Sequence, residues 1–157
     1  MRPTAALAAV CLGAVLSGCG GTGAPASGYT SDMTAAVTAA NRIAVDLTTF
    51  DYRELDAFFG RMKADGTAYF NQNLLANRAD VTAYDQRLKI VSDGNVVASA
   101  AMPMAAKGTV TVLLFVDQRL RSSGSKVGLL ERVRVQMVMK NLNGRWLADQ
   151  AIVTGSS

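Results

Sequence analysis

The side chains able to do chemistry in this 157-residue chain are few, and their absences are informative. There is no histidine. That removes Ser-His and Cys-His nucleophilic systems together with the commonest metal ligand. Of the two cysteines, Cys11 lies inside an apolar amino-terminal stretch, so Cys19 is the only thiol that a processed chain would keep. A disulfide within that chain is then impossible, and the fold must stand on packing alone. No glycine-rich phosphate loop is present: Gly20-Gly21 belongs to a run of small residues, not to a strand-to-helix turn. The carboxylates Asp51, Glu54 and Asp56 cluster where a helix is expected to start, and acidic residues there favour the helix dipole. Asp117 ends an apolar strand, where the plain reading is an acid meeting water or Arg119. No catalytic residue, cofactor or metal is expected.

The amino terminus carries the most specific signal. Arg2 precedes a wholly apolar or small stretch over residues 5–16, the layout of a secretory leader and too short to span a bilayer, which takes about 20 residues as helix. Leu16-Ser17-Gly18-Cys19 resembles the lipobox of bacterial lipoproteins. The resemblance implies lipidation of Cys19, cleavage after Gly18, and retention on the extracytoplasmic face of a membrane. One acyl chain binds a bilayer only marginally, whereas two or three anchor firmly. Residues 19–30 follow as a tether of small residues without packing side chains. Residues 31–157 are enough for a single domain.

Within that domain the hydrophobic period changes once. Met33, Val37, Ala40, Ile43, Ala44, Leu47 and Phe50 recur at helical spacing after a capping Thr30 or Ser31. Asp51-Tyr52-Arg53-Glu54 resembles a capping box, followed by Leu55, Phe58, Phe59 and Met62 on one face, with Gly66 ending the helix. A third helical stretch runs over 67–88, with Asn77-Arg78-Ala79-Asp80 as its break. The period then falls to two. Strands are expected over 96–102, over 109–116 (apolar enough to be covered on both faces) and over 132–137, which alternates strictly. Asn143-Gly144 predicts a tight hairpin, because both residues tolerate positive φ. That turn pairs Leu142 with Arg145, Met139 with Ala148, Met137 with Gln150 and Val135 with Ile152. It puts Val135, Met137, Met139, Trp146 and Ile152 toward the helices, and Arg134, Gln136, Lys140 and Asp149 on the opposite face. Gln150 then has its amide on an apolar face, where it must find a partner or line a pocket. Met137, Met139 and Trp146 complete that candidate pocket, with core packing as their plainer role. Helices first and antiparallel strands after predict an α+β domain, with helices packed on a curved antiparallel sheet of about four strands.

Charge is unevenly spread. Residues 19–100 hold seven basic and nine acidic side chains, residues 101–157 eight basic and three acidic. The basic half suits an acidic partner or anionic headgroups, or is a solvated sheet face. No dense basic run interleaved with aromatics is present, so nucleic acid is not an expected partner.

The order of elements resembles the Mce-associated proteins of actinobacteria, accessory components of lipid-import systems. The resemblance rests on Leu47-Thr48-Thr49-Phe50-Asp51-Tyr52, on Val110-Thr111-Val112-Leu113-Leu114-Phe115-Val116-Asp117, on Arg132-Val133-Arg134-Val135 and on Asn143-Gly144-Arg145-Trp146-Leu147-Ala148-Asp149. It implies the nuclear transport factor 2-like fold, which includes SnoaL-like proteins: a curved sheet wrapped around helices as a cone. It also implies a non-enzymatic accessory or assembly role beside Mce-complex subunits. Two further functions are carried: a pocket domain that binds a lipid or other apolar ligand, and, more weakly, a SnoaL-like isomerase or cyclase. The last would use Asp117 as base with Tyr69 or Tyr84 as its hydrogen-bonding partner, as related folds do.

Overall fold

The computed structural model describes residues 30–103, 106–125 and 128–155. The leader, Cys19 and the tether lie outside the described residues. Helix α1 (Ser31–Thr48) begins where Thr30 caps it, its hydroxyl accepting from the Met33 amide at 3.2 Å. A two-residue strand β1 (Phe50–Asp51) follows, then α2 (Leu55–Asp65), α3 (Ala68–Ala76) and α4 (Arg78–Leu88). Four long strands complete the chain: β2 (Val91–Pro103), β3 (Thr109–Arg121), β4 (Leu129–Leu142) and β5 (Arg145–Gly155). The five strands run antiparallel in the order β1-β2-β3-β4-β5. Four helices on this curled half-barrel sheet make an α+β fold, as the change of period predicts.

The core lies between α1, α2 and the inner face of the sheet. Ala36, Ala40, Ile43 and Ala44 of α1 are buried with Leu55, Phe58, Phe59 and Met62 of α2. They meet Val112, Leu114 and Val116 of β3 and Val135, Met137 and Met139 of β4. Small alanines on α1 let its backbone come close to the strands. Closest is the crossing over β2, where a Cβ on Gly94 would lie 1.9 Å from Thr48 Oγ1. The same crossing is tied by polar atoms. Gln118 Nε2 donates to Ser92 Oγ at 2.7 Å, and Ser92 Oγ donates to the Thr48 carbonyl at 2.5 Å. Arg42 of α1 grips Asp65 at the end of α2 with two hydrogen bonds of 2.6 and 2.7 Å.

Several expectations are corrected. Asp51-Tyr52-Arg53-Glu54 is not a capping box: Glu54 makes no side-chain cap bond, and Asp51 instead accepts from the Arg53 amide at 2.9 Å and pairs with its guanidinium. Phe50 leaves the helix and pairs with Ser92, adding a fifth strand that is too short to show a period. Strand β3 is covered on one face only, since Phe115 on its outer side is 41% exposed. The hairpin at Asn143-Gly144 forms with φ of 55° and 84° and pairs Leu142 with Arg145 and Met139 with Ala148. Beyond Ala148 the pairing slips. A bulge at Asp149 sets Val138 against Gln150 and Met137 against Ala151. One extra residue shifts the register of every later pair, so Ile152 stands opposite Gln136 instead of Val135 and is 56% exposed at the sheet edge.

The α1–β2 crossing makes a paired prediction. Gly94→Ala drives a methyl group into Thr48 and should lower unfolding free energy by about 3 kcal/mol, the upper range for overpacking. Gly60→Ala, inside α2 with nothing within 4 Å of the new methyl, should raise it by about 0.7 kcal/mol. Urea titrations followed by circular dichroism measure both.

Candidate functional site

Helices α3 and α4 bury little: Phe70 is the one buried residue of α3 and Asp85 the one of α4. Both helices are apolar on one side, yet that side does not close on the sheet. The reason lies at the start of α3. The Thr67 amide donates to the Ala148 carbonyl at 2.9 Å, and its hydroxyl donates to Asp149 Oδ1 at 2.7 Å. The same hydroxyl accepts from the Phe70 amide at 3.3 Å and caps the helix. Helix α3 is thereby pinned to the bulge of the edge strand. Beyond it the helices stand off from β5 and leave a cavity of about 850 Å³.

Leu47, Phe50, Phe58, Phe59, Phe70 and Leu74 form the apolar wall of this cavity. Phe58 and Phe59 pack edge to face with centroids 5.1 Å apart, and Phe50 meets Phe58 at a tilt with centroids 5.5 Å apart. Tyr69, Val81 and Tyr84 line it while remaining half exposed. The polar lining is Asn73, Asn77, Asp80, Asp85, Asp149 and Gln150. The size and mostly apolar lining with a few polar groups are those of a ligand site.

Asp85 differs from the other acids. Asp80 is exposed in the first turn of α4, where the helix dipole favours it. Asp149 is held by Thr67. Asp85 is 6% exposed and has no side-chain hydrogen bond or ion pair among the described residues. Burial pushes its carboxyl above the usual carboxylate range. Its place in the last turn of α4 adds the wrong end of a helix dipole.

The structure separates the residues expected to share a pocket. Met137 and Met139 are fully buried in the main core and Trp146 is 8% exposed. None of the three lines the cavity. Gln150 does line it, though by a different route: the bulge pairs it with Val138, and it sits exposed at the rim. Asp117 is on the outer face of β3, between Asn95 and Arg132 in register, with Arg132 Nε 3.8 Å from its carboxylate. Tyr69 and Tyr84 line the cavity on the other side of the sheet, so the acid–tyrosine pair of a SnoaL-like mechanism is not assembled. Asn73, Asn77, Asp80 and Asp85 were not expected as site residues. Asn73 lies on α3, Asn77 at the break and Asp80 and Asp85 on α4, so no single helical period in the sequence groups them. Among the described residues no group of three His, Cys, Asp or Glu is placed to hold a metal, and no helix is long and apolar enough to cross a membrane.

No family model and no curated protein matches the chain. Solved structures do match. The periplasmic domain of DotI superposes with a TM-score of 0.65 at 17% identity, covering 83% of this chain and 99% of that one. An IcmL-like type IV secretion system protein from Legionella pneumophila gives 0.65 at 11% identity, over 77% of this chain and 91% of that one. CagV, a VirB8 homologue of the type IV secretion system of Helicobacter pylori, gives 0.65 at 7% identity, over 79% and 99%. The fold is thus the nuclear transport factor 2-like fold, shared with these domains. The same finding overturns the resemblance to Mce-associated proteins, and with it the expected lipid-import role and Mce-subunit partners. The matching structures are VirB8, DotI and IcmL-like domains.

The state of Asp85 fixes the sign of a pH effect. A carboxyl raised in the folded state favours folding while protonated. That contribution is present below about pH 4, where an unfolded aspartate titrates, and is lost as pH rises through the folded value. Asp85→Asn is neutral throughout. It should raise stability at pH 7, and by much less at pH 3, in parallel urea titrations. An equal change at both pH values would contradict the assignment.

Proposed function

We propose that this domain is a non-catalytic assembly module of an envelope secretion apparatus, displayed on the extracytoplasmic face of a membrane and tethered there through lipid on Cys19. The observation that carries the reading is the likeness to the DotI periplasmic domain, which extends over 99% of that domain. Two further secretion-system proteins share the same architecture at nearly full length. The leader and Leu16-Ser17-Gly18-Cys19 support an extracytoplasmic, lipid-anchored site.

A scaffold needs surface more than a reaction centre. The outer face of the sheet offers Met102, Phe115 and Ile152, which are 47%, 41% and 56% exposed. Arg134 stands beside Phe115 in register, and Gln136 beside Ile152. Apolar groups set among polar ones in this way are usual for surfaces that meet other proteins. The absence of histidine and of a free thiol in the processed chain fits a role that does not depend on catalysis.

Deleting the protein should lower the amounts of its partner envelope components and the transfer of cargo by the apparatus, measured by immunoblot and by a transfer assay. Cys19→Ser should lose palmitate labelling and move to the soluble fraction. Full partner levels and full transfer in the deletion strain would overturn the assembly role. Palmitate labelling of Cys19→Ser would overturn the anchor alone.

A further inference from the structure

We infer that the cavity between α3, α4 and β5 is a binding site for an apolar cation: a small hydrocarbon or aromatic body carrying one amine or guanidinium group. This site is separate from the assembly role and does not rest on it. The volume of about 850 Å³ is far above the voids that packing leaves in a domain interior. Its wall is aromatic and aliphatic, which selects an apolar body.

Charge then selects the sign. Three aspartates line the cavity, and no lysine or arginine does so among the described residues. The protein as a whole carries a formal charge of +4, so the acidic lining runs against its average. Two of the acids have structural roles, Asp80 at a helix start and Asp149 on Thr67. Asp85 has none. It is 94% buried, lines the cavity and lacks a hydrogen-bond or ion-pair partner among the described residues. A buried carboxylate without a partner is costly, and an ammonium group supplies both the opposite charge and the donors that the fold withholds.

The rings of the wall favour the same sign. Arg78 already lies over the Phe59 ring at 5.0 Å and Arg87 over the Tyr84 ring at 5.7 Å. Arg78 is also bound to Asp56 at 2.6 Å, so it is held by a partner of its own. Phe50, Phe58 and Phe70 also line the cavity, and a ligand cation can meet their ring faces. Half-exposed Tyr69, Val81 and Tyr84 leave an apolar way in.

Calorimetric titration of the folded domain at neutral pH with octylamine, octanol and octanoate, each below its micellar concentration, tests this. Octylamine should bind saturably at one site and about tenfold more tightly than octanol, with octanoate weakest. Asp85→Asn should remove the advantage of the amine and leave octanol unchanged. Val81→Trp, an exposed helix position at the mouth, should weaken the amine and the alcohol together. The proposal is overturned by equal affinity for amine and alcohol in the unaltered protein. It is equally overturned by an amine preference that survives Asp85→Asn, by binding that Val81→Trp does not weaken, or by the absence of saturable binding.

Discussion

Thr67 stands where a helix start, a strand edge and a change of register meet, and its few polar atoms hold all three. The amide reaches the Ala148 carbonyl, and the hydroxyl donates to Asp149 while accepting from the Phe70 amide. An edge strand otherwise presents unpaired backbone groups. Here the first part of that edge is covered by the chain at Gly66 and Thr67, with Gly66 bridged to Ala148. The approach is close enough that a Cβ on Gly66 would lie 2.3 Å from the Phe70 ring. Because α3 meets the strand at its capped start and through Phe70, the rest of α3 and α4 face the strand across a cavity instead of through packed side chains. The bulge at Asp149 is what brings a carboxylate to meet the Thr67 hydroxyl, so the joint and the cavity have one origin.

The domain therefore has two kinds of interior. On the side of α1 and α2, alanines and Gly94 allow near contact, the side chains of β3 and β4 interdigitate, and little space is left. On the side of α3 and α4, larger side chains such as Phe70, Leu74 and Tyr84 face open volume. The first interior supplies the hydrophobic stabilisation of a domain whose described residues contain no cysteine. The second is apolar surface left wet, a cost carried in the fold and offset by burial elsewhere.

Legibility in the sequence follows the same division. The long periodic elements could be read: the cap at Thr30, the buried face of α1, the break at Asn77, and the hairpin with its register as far as Ala148. The bulge could not, because alternation on either side of one extra residue looks normal and no glycine or proline marks Asp149. Every pair beyond it was expected one residue out of register, which is why Gln150 was set opposite Met137 and Ile152 opposite Val135. Strand β1 has two residues and thus no period. The mistaken family resemblance has a physical source too. Its motifs, the apolar strand through Asp117, the alternation at Arg132 and the Asn143-Gly144 hairpin, are β3, β4 and the β4–β5 turn. They are what any chain needs to build this sheet, so they report the fold and not the system in which it works.

The uneven charge of the chain takes its meaning from the layers. Its acidic part, residues 19–100, supplies every helix, while its basic part supplies β3, β4 and β5. Arg132, Arg134 and Lys140 of β4 lie on the outer face of the sheet, and Asp80 and Asp85 lie on the helix that walls the cavity. The outer face of β4 thus carries cations, while the helical layer is mixed in charge and turns Asp80 and Asp85, but no lysine or arginine among the described residues, toward the cavity. A basic surface can be explained by solvation alone. An acid set into an apolar cavity wall with no partner from the fold is less easily explained so, since a charge there is poorly solvated. Of the two charged faces, the acidic one thus carries the stronger information about what the protein binds.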